Sequence, residues 1–305
     1  MKPEPVEVPL TPACSVCIAR SLGIMIPLLT SNRQKQFELL SLAFKRVSEG
    51  YARRTKPHPL SVGLYHELYA STAAEDPYEV LKRNSTDAAS RAFAEVDRIV
   101  SGTSGYVRLR HALAASIVGN LIDFNTAAHE PKLECLADDF ARILAEGFVP
   151  DHSQRLWDRL RSKTGQVLYL ADNAGEVIFD VPLLRLFNEM GWRVVYVVKA
   201  RPIINDATEA DVAGTEIPSL AEVMSSGAWA HGVPKDLVSE EFMDAVKASE
   251  FAVSKGQANI ETFPEIQDEF RTDCFYITRA KCPNIAKAIG VPTGANVVML
   301  RSYSD

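Results

Sequence analysis

Residues 165–176 read GQVLYLADNAGE, and this stretch decides the fold class. The apolar run Val167-Leu168-Tyr169-Leu170-Ala171 lies between Gly165 and Asp172. A short, uninterrupted apolar run with such boundaries is typical of a strand that is buried on both faces, as strands are in parallel sheets covered by helices. The sequence therefore predicts that a buried strand begins near residue 166 and ends in a polar turn.

Similar apolar runs recur towards the C-terminus. They cover residues 193–199, 251–254, 275–278 and 297–300. Most are separated by helical patterns, for example over residues 237–249 and 285–289. Because strands that alternate with helices form mostly parallel sheets with helices on both faces, residues 166–305 are predicted to form a Rossmann-like, three-layer α/β/α domain.

The first half of the chain shows helical patterns and no strand pattern before Gln166. A capping box at Ser31 precedes Phe37, Leu40, Phe44 and Val47, which recur at helical spacing. Similar patterns predict helices over residues 60–69, 77–100, 108–124 and 136–146. We therefore expect an all-helical domain over residues 1–165, followed by the α/β domain.

Composition excludes several classes of protein. The 305 residues are 47% apolar and 24% charged, which is ordinary for a globular protein. The net charge of -6 does not suit a nucleic-acid partner. No apolar stretch approaches the roughly 20 residues that span a bilayer, so we expect no membrane contact. The odd, sparse set of five cysteines favours a reducing compartment, and we expect a cytoplasmic protein that acts on a small molecule. The oligomeric state stays open.

Polar residues follow three of the predicted strands. Asp172 and Asn173 follow the first strand, Asp206 follows the second, and Lys255 follows the third. Ligands bind outside the carboxyl ends of strands in open parallel sheets, and carboxylate and amide oxygens suit Mg²⁺ or Mn²⁺. Helix caps and an exposed loop lysine are the alternative interpretation.

In these motifs the sequence resembles the metal-dependent damage-control phosphatases, a family long catalogued as a domain of unknown function. The matching motifs in the second half are 171–176 (ADNAGE), 204–208 (INDAT), 254–259 (SKGQAN) and 281–282 (KC). Those in the first half are 14–17 (CSVC), 76–78 (DPY) and 119–124 (GNLIDF). The resemblance implies a divalent metal, such as Mn, Mg, Co or Ni, held by Asp172, Asn173 and Asp206. It also implies hydrolysis of phosphate monoesters of small metabolites such as sugar phosphates.

The predicted catalytic residues are Asp172, Asn173 and Lys255; Asp172 is either a metal ligand or a nucleophile. Lysines neutralise phosphate charge, while amides and carboxylates orient substrate or water. The predicted substrate contacts are Asn120, Asp123, Glu176, Gly256, Asn259 and Lys281.

Other interpretations compete with these expectations. Gly175 after the first strand also suits an adenosylmethionine-dependent methyltransferase, although no Gly-x-Gly is present, and a non-catalytic metal or metabolite sensor could use the same crevice. Zinc at Cys14 and Cys17 is disfavoured because a second cysteine pair is missing. The six histidines are expected to be structural or exposed. Pro182 either kinks the helix after the first strand or lies in its first turn.

Overall fold

The computed structural model describes residues 3–121 and 135–303. Its strands form one sheet and are β1 (Gln166–Leu170), β2 (Arg193–Val198), β3 (Glu222–Ser225), β4 (Phe251–Lys255), β5 (Cys274–Arg279) and β6 (Asn296–Arg301). The strand order is β3-β2-β1-β4-β5-β6, and all neighbours are parallel except β5 and β6, which are antiparallel. This order reverses between β1 and β4, so a ligand crevice is expected at the carboxyl ends of these two strands.

Helices precede the sheet and cover its faces. Those before β1 are α1 (Cys14–Leu29), α2 (Arg33–Arg53), α3 (Pro57–Ala70), α4 (Glu79–Ser101), α5 (Gly105–Gly119), α6 (Leu136–Glu146) and α7 (Ser153–Ser162). A 3₁₀ helix over Glu176–Asp180 follows β1. The later helices are α8 (Val181–Glu189), α9 (Glu209–Val212), α10 (Ile217–Leu220), α11 (Glu240–Ala248), α12 (Gln257–Phe270) and α13 (Pro283–Ala288). The predicted α/β fold class is confirmed.

The two faces of the sheet pack against different helices. Val167 and Tyr169 of β1 belong to a cluster with residues of α4 to α8, whereas Leu168 and Leu170 pack with residues of α11 to α13. This alternation follows from the strand period of two, and burial on both faces explains the uninterrupted apolar run.

Helices from the first half share a hydrophobic cluster with the sheet. Residues of α4, α5, α6 and α7 belong to the same cluster as β1, whereas α1, α2 and α3 form a second cluster that includes Ile203 and Ile204. The change from helices to strands falls between α7 and β1, where the sequence suggests a boundary. The division into two domains at residue 165 stays a prediction.

The buried face of α2 agrees only in part with the predicted one, since Leu40 and Val47 pack against the cluster of α1 to α3 but two phenylalanines do not. Phe37 and Phe44 are 56% and 53% exposed, while Leu39, Ala43 and Gly50 are buried. A Cβ atom on Gly50 would lie 2.5 Å from Leu60 Cδ1, so small residues here allow α2 and α3 to approach closely. The helix thus buries Leu39, Ala43 and Gly50 and leaves two aromatic rings exposed.

Three local features refine the sequence interpretation. The N-cap of α2 is Asn32, whose Oδ1 accepts a hydrogen bond from Lys35 N at 3.1 Å, and not Ser31. Pro182 lies in the first turn of α8, as one of the two alternatives predicted. Strand β3 has no counterpart among the predicted strands, because its sequence, EVMS, has no apolar run and because it lies half-buried at the sheet edge.

Among the described residues, no helix combines the length and the apolarity needed to cross a bilayer.

Gly119 sets the distance between α5 and the 3₁₀ helix, since a Cβ there would lie 2.8 Å from Glu176 Cγ and 2.9 Å from Glu176 O. We expect Gly119→Ala to lower the free energy of unfolding by about 1–3 kcal/mol through overpacking, measured by urea denaturation. Gly63→Ala is the control because nothing lies within 4 Å of a Cβ at that helical position. It is expected to stabilise the protein by roughly 0.5–1 kcal/mol, and equal effects of the two substitutions would contradict this account.

Candidate functional site

The loops after β1 and β2 are joined by backbone hydrogen bonds. Ala207 N donates to Asp172 O at 2.8 Å, and Ala174 N donates to Asn205 O at 2.8 Å. An isolated antiparallel bridge pairs Asn173 with Asp206. These bonds bring Asp172, Asn173 and Asp206, the predicted metal ligands, to one place at the carboxyl end of the sheet. Their exposed fractions are only 7%, 5% and 2%.

Gly256 allows the start of α12 to approach Asp172. Its φ is +77°, and a Cβ there would lie 1.8 Å from Asp172 Oδ2. No residue with a side chain fits this contact without displacing the carboxylate, so the glycine fixes how closely β4 and α12 approach the β1 loop. The sequence placed Gly256 in the site, and the structure supplies this steric reason.

Side-chain amides hold Asp172 in a fixed orientation. Asn120 Nδ2 and Asn173 Nδ2 donate to Asp172 Oδ2 at 3.0 and 3.2 Å, and Asn173 Nδ2 also donates to Glu176 Oε2 at 3.2 Å. Asn120 Oδ1 accepts hydrogen bonds from Thr278 Oγ1 and Arg279 N at 2.8 and 2.9 Å. Since the Asn173 amino group is committed to carboxylates, its Oδ1 is the atom that remains to ligate a cation.

Lys255 is fully buried beneath these residues. Its Nζ donates to Glu176 Oε1 at 2.6 Å, Asp180 Oδ1 at 3.0 Å and Ser116 O at 2.9 Å, so the three ammonium hydrogens have three acceptors. Burial alone would lower the pKa of Lys255, but the charges of Asp180 and Glu176 outweigh that effect and raise the pKa above its usual value. The lysine is therefore held charged.

Asp180 completes this buried network and was not singled out in the sequence. Its carboxylate also accepts hydrogen bonds from Ser116 Oγ at 2.7 Å, Tyr169 OH at 2.7 Å and Tyr196 OH at 2.8 Å. Burial and the Asp180 charge raise the pKa of both tyrosines well above its usual value. The tyrosines therefore remain neutral hydrogen-bond donors near neutral pH.

The remaining predicted site residues lie around this centre. Lys281 Nζ donates to Asn120 O at 2.7 Å, which places its ammonium close to the amide that contacts Asp172. Asn259 Nδ2 donates to Ala171 O at 3.1 Å and to Lys255 O at 2.7 Å, tying α12 to the end of β1. Asp123 lies outside the described residues.

A cavity of about 490 Å³ opens onto the predicted metal ligands. Its wall includes Asn120, Asp172, Asn173, Asp206 and Lys281 together with residues of α1, α3, α12 and α13. Lys255 and Glu176 lie outside the lining, behind Asn173. A direct contact of either residue with substrate stays a prediction.

The cavity wall also contains residues that the sequence analysis did not assign to the site. Glu261 lies one helical turn after Gln257 on α12, and both line the cavity. Burial raises the pKa of Glu261 to about 7. The i, i+4 spacing from the strand-end motif was the available signal. His231 also lines the cavity, where burial lowers its pKa well below the usual value and keeps the ring neutral.

Three thiols lie along the same cavity: Cys14 and Cys17 at the start of α1, and Cys282 at the N-cap of α13. Within residues 3–121 and 135–303, His, Cys, Asp and Glu side chains form no group of three or more that could hold a metal ion. A zinc site at Cys14 and Cys17 would need further ligands, and it stays a prediction.

Comparisons with known proteins agree on one family. The model of the damage-control phosphatase ARMT1-like domain matches residues 10–297. An uncharacterised protein of Methanocaldococcus jannaschii is 30% identical, covering 97% of this chain and 96% of its own length. A damage-control phosphatase of Pyrococcus horikoshii is also 30% identical, covering 95% of this chain and 97% of its own length. A crystal structure of a DUF89 family protein from the same organism matches with a TM-score of 0.84 and 29% identity, covering 97% of this chain and all of its own.

Lys255→Met tests the buried network, since it removes the ammonium while keeping an apolar stem. We expect the free energy of unfolding to fall by about 3–5 kcal/mol, because Glu176 and Asp180 would stay buried without their cation. Chemical denaturation of Lys247→Met is the control, since Lys247 forms an exposed ion pair with Asp244. That pair is expected to contribute less than about 1 kcal/mol. Similar decreases in the free energy of unfolding for both variants would show that Lys255 stabilises the fold no more than an exposed lysine does.

Glu261→Gln tests the half-buried carboxyl on the cavity wall. Because the folded pKa is raised to about 7, the proton stabilises the folded state at low pH, and this contribution is lost as pH rises through 7. In metal-free buffer, the stability of the variant relative to wild type should therefore increase by about 1–3 kcal/mol between pH 4.5 and pH 8. Glu265→Gln, on the same helix with a 72% exposed side chain, is the matched surface control. Parallel pH profiles for Glu261→Gln and wild type would refute the expectation.

Proposed function

This chain belongs to the family of the damage-control phosphatase ARMT1-like domain, and from that premise we propose that it is a divalent-metal-dependent phosphatase. Its proposed substrates are phosphate monoesters of small metabolites. The observation that carries the proposal is the meeting of Asp172, Asn173 and Asp206 on a cavity wall, at the point where the strand order of the sheet reverses.

The donor atoms fit a hard divalent cation. Two carboxylates and one amide oxygen are ligands of the kind that Mg²⁺ and Mn²⁺ prefer, with water and substrate oxygens able to complete the coordination. The cavity beside them, about 490 Å³, has room for such a substrate. The Asn173 amide is oriented by Glu176 and Asp172, which is the kind of support that metal ligands need from their neighbours.

When bound, such a cation would supply positive charge against the phosphoryl oxygens of the substrate. The chain adds the ammonium of Lys281 and the N-terminal end of α12, which starts beside Asp172. Both favour negative charge at this end of the cavity. Asn120 and Asn173 hold Asp172 in one orientation, which serves either a ligand or a nucleophile, and both roles remain open for this carboxylate.

A methyltransferase and a non-catalytic sensor are the alternative functions to the proposed phosphatase. The names of the curated relatives support phosphatase chemistry, and the acid and amide after β1 suit a cation better than a nucleotide cofactor. A cytoplasmic location and sugar phosphates as substrates stay predictions.

Asp172→Asn and Asp206→Asn test the cation site while nearly preserving side-chain shape. Each removes a charged ligand, so we expect calorimetric titration to show Mn²⁺ affinity reduced at least about tenfold. Asp87→Asn on the exposed face of α4 is the control and should bind as wild type does. Wild-type affinity in both site variants would overturn the assignment of the ligands.

Activity is tested separately with a panel of phosphate monoesters. Chelator should abolish hydrolysis by the wild-type protein, and Mg²⁺, Mn²⁺, Co²⁺ or Ni²⁺ should restore it. If Mn²⁺ binds but no ester of a broad panel is hydrolysed with any of these metals, the sensor interpretation replaces the phosphatase.

A further inference from the structure

The cavity extends well beyond the predicted metal ligands, to the first turns of α1 and the start of α13. A phosphate group bound near Asp172 would therefore leave the rest of the cavity to the organic part of the substrate. The chemistry of this remaining wall indicates what kind of organic group fits there.

Much of the remaining wall is apolar. Side chains from the segment before α1, from α1 and α3, from the loop after β2 and from α13 contribute to it: Val8, Ile18, Tyr65, Ile204, Pro283 and Ile285. Ile18, Ile204 and Ile285 have exposed fractions of 8%, 8% and 2%, so they are fixed parts of the hydrophobic clusters and not mobile surface groups.

Several polar side chains of this wall already make hydrogen bonds to the protein. Ser21 Oγ and Tyr65 OH share a hydrogen bond of 2.8 Å, and Asn284 Nδ2 donates to Thr11 Oγ1 at 2.9 Å. Gln257 Oε1 accepts a backbone N–H from the N-cap of α13 at 2.8 Å. A polyhydroxylated ligand would have to compete with these bonds.

Glu261 differs from these polar residues. It forms no hydrogen bond or ion pair with another residue of the described chain, and it lies on the same face of α12 as Gln257. Its carboxyl therefore remains available to bond one polar group of a ligand.

We propose that the substrate is the phosphate monoester of a largely apolar, uncharged alcohol. This inference rests on the proposed phosphatase function and narrows its substrate class. It differs from the sugar phosphates expected from the family resemblance.

Desolvation explains the preference. Each sugar hydroxyl that enters the cavity loses its bonds to water and needs a new partner, whereas an apolar group gains free energy by leaving water. The isoleucine, valine and proline side chains of the wall offer no such partners, and several of its polar side chains are already bonded within the protein. Pocket contacts of this kind discriminate between substrates through kcat/KM.

The test compares benzyl phosphate with glucose 6-phosphate, using the full chain loaded with Mn²⁺. We expect kcat/KM to be at least about tenfold higher for benzyl phosphate. Equal or greater kcat/KM for glucose 6-phosphate would overturn the inference while leaving the phosphatase function intact.

A matched pair of variants ties the preference to this wall. Val16 is the third residue of α1, lines the cavity and is 62% exposed, whereas Val107 is the third residue of α5, lies outside the cavity and is 52% exposed. Val16→Asp should lower kcat/KM for benzyl phosphate about threefold or more without a comparable change for glucose 6-phosphate, because a carboxylate opposes an apolar ligand. Val107→Asp should leave kcat/KM unchanged for both substrates. Equal effects of the two substitutions on kcat/KM for benzyl phosphate would contradict the proposal.

Calorimetric binding of benzylphosphonate separates the apolar substrate class from the phosphatase function, because a phosphonate has no phosphate ester bond to hydrolyse. If benzylphosphonate binds at least about tenfold more tightly than glucose 6-phosphonate, the apolar site is supported. This holds even if no ester is hydrolysed, and in that case only the phosphatase function fails. If benzylphosphonate binds no more tightly than the sugar phosphonate, or does not bind, the apolar site is refuted.

Discussion

The arrangement of the candidate site depends on the buried ammonium of Lys255. A charge with no exposed surface is tolerated only when its partners surround it, and Glu176, Asp180 and the Ser116 carbonyl supply three acceptors. One carboxylate oxygen of Glu176 is engaged by Lys255, and the other orients the Asn173 amide. The lysine thus supports the proposed cation site through Glu176, from behind the wall of the cavity.

Sheet topology brings the proposed metal ligands close to Glu176 and Lys255. The strand order reverses between β1 and β4, so the loop after β1 and the start of α12 lie side by side at the carboxyl ends of these strands. Gly256 allows α12 to approach the β1 loop closely. The backbone bridge between Asn173 and Asp206 joins the loop after β2 to the loop after β1. The site is therefore built from backbone geometry as much as from side-chain chemistry.

Residues at strand ends could be predicted from sequence because topology alone places them. Asp172, Asn173 and Asp206 follow apolar runs, and the structure brings them together. Asp180 could not be recognised, since an aspartate just before a helix with proline in its first turn resembles an ordinary helix cap until Tyr169 and Tyr196 are seen to donate to it. For Glu261, the i, i+4 spacing from Gln257 indicates only a shared helix face, because its place on the cavity wall also depends on how α12 packs against α3 and α13. The exposed face of α2 shows the same limit, because close contact through Gly50 outweighed the burial of two phenylalanines.

The central claim is that Asp172, Asn173 and Asp206 together bind one divalent cation. The most direct measurement is a crystal structure of the protein with Mn²⁺, using anomalous scattering to locate the metal. The account predicts an anomalous peak within about 2.0–2.4 Å of oxygen atoms from all three side chains. A fully occupied Mn²⁺ peak elsewhere in the molecule, with none between these residues, would contradict it.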